Sequence, residues 1–274
     1  MKILAVVPIY NPDPKLLQES ISSYIAGVDK VLVWRNCSYV PSFPEGMKDK
    51  VVFCGDGTNA GIPAALNYAW KYACEHGHTH LLTMDQDSVW EDFPRYVAAI
   101  SSPDAPKKAF FGPEVLFLRN PGKGRKVSFE KAPNLITSGM LLPLEIPDAT
   151  HGWSEEFKVD GVDMEFSYHA RNLGHTPYHV RGCGLIHHYG EPHRVYILGG
   201  LLGHITAKNY SPKRLYDMIY SHRVIIRRYP KITRELKRTV NKVFVRKNLR
   251  AILLIEKDKK AKISAIFRAL RDSS

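Results

Sequence analysis

Two carboxylates one residue apart, Asp85 and Asp87, follow directly on an apolar run in the stretch "TMDQDSVWEDF" at residues 83–93. Neighbouring anions repel, so the spacing calls for a compensating charge or for full exposure to water. A hard divalent ion with oxygen ligands relieves the repulsion and keeps open positions for the oxygens of a diphosphate. The alternative is an accidental Asp-x-Asp pair on a solvated loop, with Asp92 close behind it.

Histidines form a second cluster: His175, His179, His187, His188 and His193 fall within one short stretch. A neutral imidazole at a strand end can complete a mixed nitrogen and oxygen shell around a metal. Each taken singly also reads as an ordinary surface or hydrogen-bonded histidine. A third cluster is Asp160, Asp163 and Glu165, at the start of a helical pattern. A carboxylate there serves either as a general base or as acidic decoration of the positive helix end. The loop "GDGTNAGIP" (55–63) is neither a P-loop nor a dinucleotide fingerprint. It offers backbone able to approach a ligand, with Asn59 and Asn67 as polar readers, or it is a plain turn before a helix.

The elements that must position these groups read as an α/β fold. "ILAVVPI" (3–9) is a continuous apolar run, the pattern of a strand buried on both faces, rather than a secretory leader. Asp13-Pro14 starts a helix. Further strands are expected at 30–34, 50–54 and 80–84, with a helix opened by the Gly-rich loop. The order β-α-β-β-α-β implies crossover helices and a mostly parallel sheet. Another strand is expected at 108–112. Residues 115–131, with Gly122 and Gly124, read as a hairpin or mobile loop. "LITSGMLL" (135–142) carries Ser138-Gly139 at its centre. A helix over 160–174 closes at Gly174, and a strand over 175–190 returns to the histidine pair. Ligands of such sheets bind beyond the carboxyl ends of the strands, where Asp85 and Asp87 sit.

Charge divides the chain of 274 residues more sharply than hydropathy does. The net charge is +12, yet residues 204–274 hold 20 basic and 5 acidic residues. The expectation is a domain over 1–203 and a basic helical region over 204–274. Such asymmetry points to a polyanion, either nucleic acid or an anionic membrane. No nucleic-acid module is recognisable, so no nucleic-acid partner is expected. In the tail, Val240, Val243, Phe244, Leu249, Ile252 and Leu253 can form one apolar stripe, and Ile263, Ile266, Phe267 and Leu270 another. These stripes either rest on a membrane face or pack on the catalytic domain. No run reaches the roughly 18 apolar residues of a membrane span. Four widely spaced cysteines, Cys37, Cys54, Cys74 and Cys183, fit a reducing compartment. A cytoplasmic site follows, peripheral on the inner face of the plasma membrane if the tail binds lipid.

In this order, "VVPIYNPDPKLLQESISSY", "NAGIPAALNYAWKYACEHGHTHLLTMDQDS", "SGMLL", "FKVDGVDMEFSYHARNLG" and "HHYG" resemble the inverting nucleotide-sugar glycosyltransferases of family 2. The likeness is strongest to the bacterial rhamnosyltransferase-like branch and runs from residue 3 to about 230. It implies a GT-A fold and transfer of a hexosyl unit from a nucleotide-sugar donor to a hydroxyl of a cell-surface glycan or lipid-linked saccharide acceptor. By the same likeness, Pro8, Tyr10 and Asn11 line the nucleotide pocket, with Gln86 beside the donor. Asn59, Gly61 and Asn67 border the nucleotide. Asp85 and Asp87 hold Mn²⁺ or Mg²⁺ against the diphosphate, and His187, or the adjacent His188, completes the metal site. Asp163 matches the catalytic base, with Glu165 beside it, and Ser138 and Gly139 lie near the transferred sugar.

One position departs from the family pattern. Arg35 stands where relatives carry a base-reading aspartate. An arginine cannot accept a base N–H, so either the base contacts differ or Asn36 does the reading. A basic nucleic-acid-binding protein, a nucleotidyltransferase and a non-catalytic nucleotide-sugar-binding relative are the rival readings.

Overall fold

A computed structural model describes residues 1–116, 125–187, 193–196, 204–207, 209–239 and 245–273. His188, Gly122, Gly124, Val240, Val243 and Phe244 lie outside the described residues. The chain divides into two compact units, Met1–His188 and Tyr189–Ser274. Residue 204, where the charge pattern changes, falls inside the second.

In the first unit the strands are β1 (Ile3–Ile9), β2 (Lys30–Arg35), β3 (Val51–Cys54), β4 (His80–Thr83), β5 (Val89–Trp90), β6 (Ala109–Leu116), β7 (Ser128–Lys131), β8 (Met140–Pro143) and β9 (Thr176–Ile186). They form one sheet in the order β3-β2-β1-β4-β8-β6-β9-β5, with β7 also on β9. The strands β3, β2, β1 and β4 are mutually parallel. β8 runs against both of its neighbours, β4 and β6, and β6 is parallel to β9. β5 and β7 pair antiparallel with β9. Six of the nine strands therefore point the same way.

The helices are α1 (Pro14–Ser22), α2 (Glu45–Lys48), α3 (Ile62–Glu75), α4 (Phe93–Ile100), α5 (Glu145–Thr150) and α6 (Val162–Asn172). Local chemistry sets their starts. Asp13 Oδ1 accepts from Lys15 N at 2.8 Å and Leu16 N at 3.1 Å, ahead of Pro14. Asp92 caps α4 through Arg95 N at 3.0 Å, so the third aspartate of "DQDSVWED" serves the helix and not the pair before it. The core lies on the sheet. β1 is buried almost throughout, against Leu17 and Ile21 of α1 and Phe93 and Tyr96 of α4. Such a strand needs no alternation, which is why it reads as an unbroken apolar run.

The second unit holds an antiparallel pair, β10 (His193–Tyr196) and β11 (His204–Ala207). Four helices follow among the described residues: α7 (Pro212–Arg228), α8 (Arg234–Thr239), α9 (Val245–Leu254) and α10 (Lys259–Asp272). Leu215, Ile219, Ile252, Ile266 and Ala269 form their core, with Leu249, Ile263 and Leu270 packed against it. The two apolar stripes anticipated for a membrane are thus mostly consumed inside the unit. Among the described residues of those stripes, only Leu253 and Phe267 face outward. No helix among the described residues is long and apolar enough to cross a membrane.

Candidate functional site

Parallel pairing brings the carboxyl ends of β1, β2 and β4 to one edge of the sheet. Tyr10 follows β1, Arg35 and Asn36 end β2, and Met84-Asp85 leave β4. The Tyr10 N–H donates to Gln86 Oε1 at 2.8 Å, and Gln86 Nε2 donates back to the Tyr10 carbonyl at 3.2 Å. This reciprocal pair fixes the middle residue of Asp85-Gln86-Asp87 to the first strand. The flanking aspartates then stand on the same short turn.

Asp85, Asp87 and His187 each offer a ligand atom, and these atoms lie within 4.8 Å of one another. His187 follows β9 and approaches Asp85 to 3.7 Å between Nδ1 and Oδ2. The Ser88 hydroxyl lies 2.6 Å from the same Nδ1 and orients the ring. Two carboxylates with one imidazole are a donor set suited to a hard or borderline divalent cation. The electrostatics agree. Burial, then the neighbouring charges of Asp87 and Asp163, push the Asp85 carboxyl up to about 7. Burial and neighbouring carboxylates both disfavour the charged form of an acid.

Asp163 occupies the first turn of α6. Its Oδ1 accepts from Met164 N at 2.7 Å, and the Thr137 N–H also bonds the carboxylate. Burial outweighs these bonds and holds the acid up to about 6. A carboxylate held there is ionised at neutral pH yet basic enough to accept a proton.

The turn Thr137-Ser138-Gly139 ties the two carboxylates together. Asp85 N donates to Ser138 Oγ at 3.3 Å, Gly139 N to the Thr83 carbonyl at 2.8 Å, and the Thr83 hydroxyl to the Thr137 carbonyl. Gly139 adopts φ +80°, and a Cβ there would lie 2.8 Å from Pro113 Cγ and 3.1 Å from Trp90 Cζ2. Only glycine fits without displacement.

Around β2, Asn36 is buried and accepts from Trp34 Nε1 at 3.0 Å and Ala60 N at 3.1 Å. Its Nδ2 donates to the Gly61 carbonyl at 3.4 Å, and Asn59 Oδ1 accepts from Gly61 N at 3.1 Å. These bonds pin the Gly-rich loop beside β2 and spend Asn36 and Asn59 on it. Arg35 donates through Nη2 to the Gly55 carbonyl at 2.9 Å, while its buried Nε has no hydrogen-bond partner among the described residues. Pro8 is partly buried, and Tyr10 and Asn11 are exposed at the rim.

Two anticipated residues stand apart. Asn67 clamps another segment: its Nδ2 donates to the Trp153 carbonyl at 2.9 Å and its Oδ1 accepts from Trp153 N at 2.7 Å. Glu165 is buried within α6. Of the other histidines, His179 Nδ1 lies 3.1 Å from the Pro113 carbonyl, and His175 is not in the metal-ligating group. Ser88 and Thr137 were not anticipated. Ser88 was visible as the residue after "DQD", but its partner is 99 positions away.

Solved structures with the same architecture are glycosyltransferases. GalNAc-T7 with UDP, GalNAc and Mn²⁺ matches at TM-score 0.59 and 11% identity, over 99% of this chain and 56% of that one. The mannosyltransferase PcManGT from Pyrobaculum calidifontis, in complex with GDP-Man and Mn²⁺, matches at 0.57 and 12%, over 100% and 76%. S. aureus TarS 1-349 in complex with UDP-GlcNAc matches at 0.58 and 16%, over 100% and 82%. The fold is GT-A. The chain thus spans just over half the length of GalNAc-T7, and identities this low carry the GT-A architecture alone. No protein-family model matches the sequence, and no curated protein matches it significantly.

Proposed function

We propose that this GT-A protein is a metal-dependent inverting glycosyltransferase that moves a sugar from a nucleotide-sugar donor to a hydroxyl of a glycan or lipid-linked saccharide. The observation that carries the reading is the convergence of Asp85, Asp87 and His187 within 4.8 Å at the carboxyl edge of the parallel strands. The neighbouring structures support it, since they are complexes with UDP, GDP-Man or UDP-GlcNAc, two of them together with Mn²⁺. The order of sequence motifs favours family 2 and its rhamnosyltransferase-like branch.

The three ligand residues would hold Mn²⁺ or Mg²⁺, which supplies positive charge against the leaving diphosphate. Asp163 takes the proton of the acceptor hydroxyl. The acceptor oxygen forms its bond to the anomeric carbon as the bond from that carbon to the diphosphate oxygen breaks on the opposite face. The diphosphate leaves with the electron pair, and one displacement inverts the anomeric centre. Ser138 and Gly139 border the sugar, and Asn36, Asn59 and Gly61 shape the loop beside the nucleotide. Arg35 offers only donors, so it would meet a base through carbonyl or ring-nitrogen acceptors.

A panel of UDP-, GDP- and dTDP-sugars with Mn²⁺ identifies the donor by thermal shift. With that donor and a hydroxyl acceptor, Asp163→Asn retains the shift and loses transfer by about 10²–10⁴-fold. Transfer at the normal rate by Asp163→Asn contradicts the mechanism.

A further inference from the structure

The outward face of α9 has no counterpart in the transfer chemistry. Val245, Leu249 and Ile252 turn inward, at the helical spacing that builds the core of the second unit. The opposite side exposes Arg246, Lys247 and Arg250, then Leu253 and Leu254. The two leucines are 56% and 62% exposed, although the same helix has a core within reach. Lys257 in the turn to α10, and Lys259 and Lys260 at the start of α10, are all exposed. Lys259 Nζ donates to the Leu253 carbonyl at 2.7 Å and holds the leucine end of the helix in place.

Charge in this region is not internally balanced. Among the described residues, Arg246, Lys247, Arg250, Lys257 and Lys260 make no ion pair with an acidic side chain. The nearby acids are engaged elsewhere or outnumbered. Glu256 is buried on Lys262 at 2.9 Å, Asp272 bonds Arg271 and Tyr216, and Asp258 alone is exposed in the lysine turn.

We propose that the α9 face and the following turn dock the protein on an anionic lipid surface, with Leu253 and Leu254 entering the headgroup–acyl boundary and Arg246, Lys247, Arg250, Lys257 and Lys260 ringing them on the headgroups. The pairing of features selects lipid over other polyanions. Nucleic acid uses cations with stacking or hydrogen-bonding side chains, and two exposed leucines supply neither. A membrane interface uses both the charges and the apolar pair. The surface belongs wholly to the second unit, so the inference stands independently of the reaction assigned to the first.

The test uses the whole chain and vesicles of phosphatidylcholine, with and without 30 mol% phosphatidylglycerol, read by flotation. Binding to the anionic vesicles alone is expected, weakening about fivefold for each cation removed in Lys257→Gln and Lys260→Gln. Leu253→Ser/Leu254→Ser should weaken it by about tenfold or more. Both sites are exposed, and an unchanged circular dichroism spectrum confirms that each variant folds. Equal or negligible binding to both vesicle types overturns the proposal. So does wild-type binding by the leucine double variant, or tighter binding to a random oligonucleotide than to the vesicles. Donor-induced thermal shift, measured without lipid, should be the same in all these variants, so failure of docking and failure of the enzymatic reading are separable.

Discussion

His187 Nδ1 lies 2.6 Å from the Ser88 hydroxyl and 3.7 Å from Asp85 Oδ2. The serine hydroxyl therefore holds the same ring nitrogen that approaches Asp85 and sets the orientation of the imidazole beside the carboxylates. Residues that orient a metal-binding histidine commonly govern affinity. Ser88→Ala should weaken Mn²⁺ binding about 10- to 100-fold, measured by calorimetric titration. Ser88→Thr, which keeps the hydroxyl, should recover most of the loss. A buried serine with a merely structural role would change Tm and leave Mn²⁺ affinity alone.

With Asp163 as the proposed base, transfer acquires a pH dependence. Burial raises its carboxyl to about 6, and a general base works only when ionised. The rate at saturating donor and metal should climb with pH, with its inflection near 6, and level off above. A profile that falls through that range contradicts Asp163 as base.

Metal-free stability has the opposite slope. Asp85 is raised from 3.8 to about 7, so the folded state keeps a proton that the unfolded chain has lost. The associated stability is fully present below pH 3.8 and lost as pH rises through about 7. Asp85→Asn, which resembles the protonated acid, should therefore raise the metal-free Tm at pH 8. Solvent screening at a side chain 36% exposed limits the gain to about 1 kcal/mol, or about 3 °C. Added Mn²⁺ should stabilise the parent protein and lose its effect on the variant. Differential scanning calorimetry at pH 5 and 8 checks both slopes.

Gly139 sits at φ +80° with Pro113 and Trp90 against the place of a Cβ. Gly139→Ala should destabilise the protein by about 1–3 kcal/mol and reduce donor binding, since the same turn carries Ser138 and Thr137. Chemical denaturation and donor titration read the two effects separately.

Asn67 makes two bonds to the Trp153 backbone. Asn67→Ala leaves that backbone unsatisfied and should lower stability by about 1–3 kcal/mol with nucleotide affinity unchanged at low temperature. An affinity loss at unchanged Tm would instead assign Asn67 to the ligand, as motif likeness implies.

How much of this was legible in the sequence depended on whether the signal was local. β1, α1 and α6 were, because apolar runs, Asp13-Pro14 and Gly174 are local signs. Asp85 and Asp87 were legible as a pair through adjacency. The partner strand β8, inserted antiparallel between β4 and β6, was not, because pairing is a long-range property. The two bonds of Asn67 to Trp153 were not legible, because an amide in a helix after a Gly-rich loop carries no local sign of a partner 86 residues on. For the described tail residues, periodicity alone could not say which apolar side chains face a core and which face water. Leu249 and Ile252 went inward while Leu253 and Leu254 stayed out.

The proposed transfer depends on a divalent cation held by Asp85, Asp87 and His187 against the donor diphosphate. Titration of Mn²⁺ into the protein, with and without the nucleoside diphosphate of the stabilising donor, tests it directly. Mn²⁺ should bind more tightly when the diphosphate is present, and Asp87→Asn should remove that coupling. Nucleotide binding that is indifferent to Mn²⁺ in the parent protein, or coupling that survives intact in Asp87→Asn, contradicts the account.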